Sequence, residues 1–399
     1  MNFQKNKLFI LAGGRGSRIK KINRFLPKPL IKFNNISLLN HLISQVSVYQ
    51  FDEIVILAGY RSNQIVKKFH NKHFNFNKVR VLVEKKPLGT SGWINFNIKE
   101  IKNDFFLING DSYYNNLEFN LWKLENLQKN SISMMLTNNH AYPENKKLNN
   151  LYIDKNKKII TKKNSNYINA GVYFISKNII KNNELKKFKS LEEELIPFLQ
   201  SKKKVKGIIN KNELIDIGTP KSLKNAKKKL PALLKKPAAF LDRDGVINYD
   251  YGYVYKFKKF KFKKKVVDAL QFLTRKNYYI FIVTNQAGIA KGLFTEIDFK
   301  KLHVQLKNYF LKKNIFIREV KYCPYHKDAK IKKYKKKTNL RKPGNLMVKE
   351  IYNNWIINKK KSFMIGDQIT DKICAKKSNL YFEYAKDNLS KQIKKISNY

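Results

Sequence analysis

Cysteine is nearly absent from this chain, with only Cys323 and Cys374 among 399 residues. Two thiols build no disulfide framework, so the chain reads as one for a reducing compartment, held by apolar cores. Long apolar runs are also missing, and none approaches the ~20 residues a membrane helix requires. Met1-Asn2-Phe3-Gln4-Lys5 leads directly into an apolar segment and leaves no room for a signal peptide, so a cytoplasmic protein without a membrane partner is expected. Acidic residues are scarce, 29 against 83 lysines and arginines, for a formal charge of +54. Arginine is the rare cation, nine against 74 lysines. It is the preferred fork for bases and phosphates, whereas the lysines are spread along the whole chain beside abundant Asn, Ile, Tyr and Phe, as an A/T-rich genome produces. Specific nucleic-acid binding is therefore not expected. A field this positive still draws in small anions. No internal repeat is present, and no feature specifies an oligomeric state.

What is present begins with Ala239-Phe240-Leu241-Asp242-Arg243-Asp244-Gly245-Val246-Ile247-Asn248. Two carboxylates two residues apart follow an apolar run that reads as a buried strand, and Gly245 supplies a turn. Such a pair repels itself and needs a cation or a shared proton. One member can then attack an electrophile while the other moves protons. A surface turn rich in Asp and Gly is the plain alternative. Three later segments weigh against it: Ile280-Phe281-Ile282-Val283 leading into Thr284-Asn285-Gln286, Arg341-Lys342-Pro343, and Phe363-Met364-Ile365-Gly366 leading into Asp367 with Asp371 four residues on. Strand ends of a parallel α/β sheet converge on one crevice. The set suits phosphoryl transfer to a carboxylate, with Asp242 as nucleophile and Asp244 as general acid and base. Thr284 and Lys342 would bind the phosphoryl oxygens, and Asp242, Asp244 and Asp367 would surround Mg²⁺.

The order and spacing of these segments resemble the haloacid dehalogenase superfamily of phosphatases. Together with Asp250-Tyr251-Gly252-Tyr253-Val254, residues from about 237 to 385 are similar to the D-glycero-D-manno-heptose 1,7-bisphosphate 7-phosphatases, histidinol phosphatase being the near relative. The resemblance implies substrate contacts at Asp250, Tyr253, Asn285, Gln286, Arg341 and Lys342. It also implies a structural zinc loop, which this sequence does not support. Cys323 is present, but Tyr325 stands at the histidine position, His326 comes one place late, and Thr338 and Leu340 occupy the later cysteine positions. One cysteine and a displaced histidine do not make a tetrahedral site, so no structural zinc is expected. Gln368 stands where the family often has lysine, and Lys291 where arginine is usual.

The first half carries its own signature. Leu8-Phe9-Ile10-Leu11-Ala12 reads as a buried strand, and Gly13-Gly14-Arg15-Gly16-Ser17-Arg18 follows at once. Glycines let backbone approach a polyphosphate whose charge Arg15 can meet. Neither a Walker loop nor a dinucleotide fingerprint is completed. Leu26-Pro27-Lys28-Pro29-Leu30, Glu84 to Thr90, Ile108-Asn109-Gly110-Asp111, Asn169-Ala170-Gly171-Val172-Tyr173, Ser190 to Glu193 and Ile215 to Pro220 follow in order. Over residues about 5 to 230 this series resembles the sugar-1-phosphate nucleotidyltransferases, heptose 1-phosphate guanylyltransferases and their mannose and glucose relatives among them. The resemblance implies Mg²⁺ between Asp111 and Asp216, with Arg15 and Lys28 on the triphosphate and Gly13 and Gly14 beside it. Leu88 and Gly89 would frame the base next to Glu84, and Asn169 and Gly171 would touch the sugar. Lys163 is the candidate for the sugar-phosphate lysine.

The expected architecture is two α/β domains of ordinary size: a Rossmann-like nucleotidyltransferase domain over 1–230, a basic, proline-punctuated linker over 231–237, and a haloacid dehalogenase-like Rossmannoid domain over 238–399. Consecutive steps in one chain are the expected function: removal of the 7-phosphate of heptose 1,7-bisphosphate, then transfer of a nucleotidyl group, GMP from GTP, to heptose 1-phosphate. The alternative pairs a mannose- or glucose-1-phosphate nucleotidyltransferase with a histidinol-phosphatase-like enzyme. A regulatory or nucleic-acid-binding scaffold with dead sites is the reading from another class, and the intact acids argue against it.

Overall fold

A computed structural model describes residues 6–19, 25–127, 130–138, 151–162, 165, 167–181 and 187–397. The chain falls into two compact units, one made of Asn2–Val46 and Gln50–Leu230 and the other built around Pro231–Tyr399.

The first unit is centred on a mixed eight-stranded sheet, in the order Val205–Asn210, Ile132–Thr137, Ile168–Ile175, Phe105–Asn109, Lys7–Ala12, Ile54–Ala58, Asn77–Val83 and Lys72–Phe74. Lys7–Ala12 lies between parallel partners on both sides, and its near-continuous apolar run is what a strand buried on both faces needs. Ile168–Ile175 runs antiparallel to both of its neighbours and carries a register shift between Asn169 and Tyr173. Such an irregularity re-aims side chains next to a site. Phe9, Trp93 and Phe105 pack as a ring cluster on one face, with centroids 4.8 to 6.1 Å apart.

The second unit holds a five-stranded, wholly parallel sheet, in the order Ile317–Cys323, Tyr279–Asn285, Ala238–Leu241, Phe363–Gly366 and Tyr381–Tyr384. Ala238–Leu241, fully buried, is the middle strand, so the acid pair that follows it emerges at the centre of the sheet edge. Helices Val266–Arg275 and Glu296–Leu311 lie where the sequence places helical stretches. Both units are thus α/β, as the sequence predicts. At the segment 231–237, the helix Pro220–Leu234 runs through Pro231 and ends at Leu234. Pro231 still supplies its carbonyl to the Lys235 N–H, and Lys236 then pairs its backbone with Ile356 and Asn358.

Candidate active sites

The second unit opens a cleft of about 1050 Å³ at the carboxyl ends of its strands. Asp242, Asp244, Thr284, Lys342 and Asp367 all line it, although they come from four separate stretches of sequence. Lys342 is the hub. Its ammonium lies 2.9 Å from Asp242 Oδ2 and 2.5 Å from Asp371 Oδ1, and donates to the Val283 carbonyl at 2.9 Å. Its side chain is 1% exposed and that of Asp371 0%. Burial alone would lower the Lys342 pKa, but the two carboxylates more than reverse this, so the lysine keeps its charge. Burial pushes the Asp242 carboxyl up, with Asp371 and Asp244 adding to the rise and Lys342 opposing it.

Asn285 fixes the lysine from behind. Its side chain accepts from the Lys342 N–H at 3.0 Å and donates to the Lys342 carbonyl at 3.1 Å. Asn285, expected to touch substrate, also lines the cleft. Gln286 donates to Asp244 Oδ2 and to Thr284 Oγ1, both at 2.9 Å. Asp250 accepts from the Gly252 N–H. Tyr253 stands on the rim with its hydroxyl 2.6 Å from the Lys291 ammonium. Arg341 lines the cleft beside it.

Asp244 lines the cleft within a dense set of hydrogen bonds. Its carboxylate is gripped by the fully buried Arg243 at 2.8 to 3.1 Å, by Asn248 at 2.9 Å and by Gln286. Burial would raise its pKa, and the Arg243 guanidinium outweighs that, holding it below the usual carboxylate range. The carboxylates close enough to share an ion are Asp242, Asp367 and Asp371, whose oxygens lie within 4.8 Å of one another. Asp371 thus joins Asp242 and Asp367 as a candidate ligand that the sequence reading did not name. Asp367 reaches in over Gly245, which has φ +77° and no Cβ; a Cβ there would stand 2.3 Å from Asp367 Oδ2. Three acids around one lysine are a donor set that fits a divalent cation, which would neutralise charge on a transferring phosphoryl group.

In the loop where the resemblance implies zinc, the contacts are local. Cys323 is buried, its thiol 3.8 Å from the Tyr325 carbonyl and its pKa raised by burial. Thr338 uses its hydroxyl to accept from the Leu340 N–H.

In the first unit, Asp111 follows the strand Phe105–Asn109, and Gly110 donates its N–H to Leu11 at the tip of the neighbouring strand. Asp216 ends the short strand Leu214–Asp216, which pairs antiparallel with Ser112–Tyr114 so that Asp216 faces Ser112. Ile217 then donates to the Asp111 carbonyl at 3.1 Å. The two acids thus come together from positions 105 residues apart. Burial and the nearby Asp111 raise the Asp216 pKa, with Gly218, Ser222 and Lys28 opposing. Mutual repulsion at the mouth of a sheet is what a cation relieves, and the pair fits one. Lys28 lies 3.4 Å from Asp111 Oδ2. Arg15 is exposed on the glycine loop, beside Gly14. Gly13 packs so near Glu84 that a Cβ would sit 3.4 Å from its carboxylate, whose pKa burial raises.

Leu88 and Gly89 open the helix Gly89–Phe96. Gly89 lies against the Lys189 carbonyl, leaving a Cβ only 2.3 Å. Asn169 donates to the Tyr173 hydroxyl at 2.6 Å and accepts from the Gly171 N–H at 2.8 Å. Tyr173 in turn meets Glu192 at 3.4 Å, and Thr90 donates to the other oxygen of Glu192 at 2.6 Å. Glu192 and Thr90, both inside segments the sequence singles out, are thus the ties that the sequence left without a role. Lys163 lies outside the described residues.

Residues 7–232 match the family Nucleotidyl transferase, and residues 241–394 match the family Polynucleotide kinase 3 phosphatase. The D-glycero-beta-D-manno-heptose-1,7-bisphosphate 7-phosphatase of Rhodopseudomonas palustris is 36% identical over 146 residues, 37% of this chain and 81% of that protein. The protein of the same name from Photorhabdus laumondii is 39% identical over 135 residues, 34% of this chain and 72% of its own length. Among solved structures, HddC from Yersinia pseudotuberculosis is 27% identical and aligns with 56% of this chain and 99% of its own, at a TM-score of 0.46.

Proposed function

The chain belongs to the nucleotidyl transferase family and, in its second half, to the D-glycero-beta-D-manno-heptose-1,7-bisphosphate 7-phosphatase family, and from that premise we propose that it carries out two consecutive steps of activated-heptose synthesis. The phosphatase half removes the 7-phosphate of D-glycero-D-manno-heptose 1,7-bisphosphate. The nucleotidyltransferase half then joins the heptose 1-phosphate to a nucleotidyl group, GMP from GTP, and releases pyrophosphate. The observation that carries this reading is the presence of both acid centres, Asp242 with Asp367 and Asp111 with Asp216, complete in one chain.

In the first step the Asp242 carboxylate attacks the 7-phosphorus, and the bond to the sugar oxygen breaks. Asp244 supplies the proton to that leaving oxygen. Arg243 keeps Asp244 ionised before substrate arrives, and a phosphate dianion settling beside it raises its pKa toward the acid form. Water then attacks the aspartyl phosphate with Asp244 accepting the proton, and inorganic phosphate leaves. Lys342, buried and charged, holds Asp242 in place and meets phosphoryl oxygens together with Thr284. Mg²⁺ held by Asp242 and Asp367 would neutralise phosphoryl charge.

In the second step the sugar phosphate oxygen is already anionic and needs no strong base. Positioning and charge neutralisation suffice. Arg15 and Lys28 bind the triphosphate, Asp111 and Asp216 would hold Mg²⁺, which would neutralise phosphate charge, and the Asn169–Tyr173–Glu192 network presents the sugar side.

The test is a substrate panel. Purified protein with Mg²⁺ should release phosphate from heptose 1,7-bisphosphate in preference to histidinol phosphate. It should release pyrophosphate from GTP with heptose 1-phosphate in preference to mannose or glucose 1-phosphate. Preference for histidinol phosphate, or for a hexose 1-phosphate, would replace this reading with the alternative pairing.

A further inference from the structure

The segment 324–340, between the strand Ile317–Cys323 and Arg341, forms one wall of the phosphatase cleft and brings Lys327, Lys336 and Lys337 to its lining. A wall carrying so many like charges repels itself and needs an anchor. Backbone bonds tie it to its surroundings where Ile331 donates to Ala290 and Leu346 to Asn339, while His326 to Tyr334 and Lys336 to His326 close it on itself. Side chains tie it as well: the Cys323 thiol and the Arg341 guanidinium reach the Tyr325 carbonyl, Tyr325 and Leu340 pack on the core, and one carboxylate reaches the wall from a helix. Glu296, the first residue of the helix Glu296–Leu311, accepts from the Tyr322 hydroxyl at 2.5 Å on one oxygen and from the Tyr334 hydroxyl at 2.8 Å on the other. Tyr322 belongs to the sheet and packs its ring 4.2 Å from Phe299 of the helix, whereas Tyr334 belongs to the wall and is 9% exposed. One acid thus joins helix, strand and wall.

We propose that Glu296 is a positioning residue of the phosphatase: by clasping both tyrosines it fixes the 324–340 wall, and with it the height at which Lys327, Lys336 and Lys337 meet the anionic end of the substrate that does not react. The chemistry of the clasp supports this. Burial would raise the Glu296 pKa, but the two hydroxyl donors outweigh it, so the acceptor stays ionised and both bonds are charge-assisted. Burial and the neighbouring carboxylate together push the Tyr334 hydroxyl up to about 12, keeping it a donor. Asp242 follows a separate strand, and Lys342, two residues beyond the wall, is held by its own ties to Asn285, Asp242 and Asp371, so the clasp acts on what the cleft admits and leaves the phosphoryl chemistry alone. The substrate part of this inference rests on the sugar bisphosphate reading above; the clasp itself does not.

The experiment uses the full chain with Glu296→Ala, Glu296→Gln and Tyr334→Phe. Brief trypsin treatment under native conditions reads the wall, which offers lysines from Lys327 to Lys337. Losing a charge-assisted bond should speed cleavage there about tenfold in Glu296→Ala and Tyr334→Phe, and less in Glu296→Gln, which keeps one acceptor. The value of kcat/KM for heptose 1,7-bisphosphate should fall by a similar factor, mostly through KM, while p-nitrophenyl phosphate, which lacks a second anionic end, should be hydrolysed at the wild-type rate. Unchanged cleavage, or equal loss on both substrates, overturns the proposal. If Glu296→Ala does not fold, Tyr334→Phe carries both readouts alone. If the wild-type enzyme hydrolyses p-nitrophenyl phosphate but not the bisphosphate, the substrate reading fails, and the trypsin comparison still decides the clasp.

Discussion

The two acid centres differ in how much protein surrounds their charges. In the phosphatase half, Asp242 touches a lysine that is 1% exposed, which touches an aspartate that is 0% exposed, and the next acid is gripped by a fully buried arginine. In the nucleotidyltransferase half, Asp111 is 35% exposed and meets Lys28 at 3.4 Å. The contrast fits the proposed chemistry, in which Asp242 is the nucleophile. A carboxylate that must form a covalent bond to phosphorus has to be held and aimed in advance, and only a dry, fully paired set of charges does that. A sugar phosphate brings its own charge to the nucleotide, so the second site chiefly has to gather anions and leave room for two of them.

The largest effects expected are those that separate the halves. Asp242→Asn should lower phosphate release by roughly 10⁴-fold or more, as removal of a nucleophile does elsewhere, while nucleotidyl transfer from heptose 1-phosphate stays unchanged. Asp111→Asn should lower nucleotidyl transfer by about 10² to 10³-fold and spare phosphate release. Loss of both activities from either change would break the two-site comparison.

Next comes stability. Lys342→Met leaves Asp371 buried without its cation and should destabilise the phosphatase half by about 3–5 kcal/mol. Lys28→Met removes a longer contact to a partly exposed acid and should cost about 1 kcal/mol or less. Urea unfolding read separately for each half by hydrogen exchange checks this, and equal costs would mean that burial does not distinguish the two centres.

A smaller effect is expected from pH. Burial raises Glu125 in the nucleotidyltransferase half from 4.5 to about 7. The folded half therefore binds more protons than the unfolded chain between those values, so through this residue its stability falls as pH rises from about 4.5 to 7. Glu125→Gln should flatten that fall, as thermal melts across the range would show. An unaltered pH slope would assign the dependence to other groups. The smallest effect expected is none: a zinc-selective chelator should leave folding untouched, and elemental analysis should find no stoichiometric zinc, because Thr338 and Leu340 offer no ligand atoms of the required kind. One zinc retained per chain would contradict this.

Much of this was legible in the sequence because each motif follows an apolar run. Asp242, Thr284 and Asp367 are each read as the end of a buried strand, and a parallel sheet places such ends together. The fold class and the order of the two halves follow from the same runs. The charge pairing was not legible. Asp371 shares the first helical turn after Asp367, a spacing that was visible, but nothing local says that Lys342, 29 residues earlier, fills the gap between it and Asp242. Arg243 carried no reading in the sequence, and its burial turns it onto Asp244. That Asn285 also clamps the Lys342 backbone, 57 residues on, was equally hidden. In the first half, Glu192 and Thr90 gain meaning only when the bulged strand brings Tyr173 between them and Asn169. Long-range pairing decides each of these cases, and periodicity does not carry it.

The central claim is that one chain performs two consecutive reactions at independent sites, and a single one-pot assay tests it. Heptose 1,7-bisphosphate, GTP and Mg²⁺ are incubated with wild-type protein or with Asp242→Asn, and products are followed by mass. Wild type should yield GDP-heptose, phosphate and pyrophosphate. Asp242→Asn should yield none of them until heptose 1-phosphate is added, which should restore GDP-heptose at the wild-type rate. Failure of heptose 1-phosphate to rescue the variant, or GDP-sugar formed while the 7-phosphate is still attached, would contradict the account.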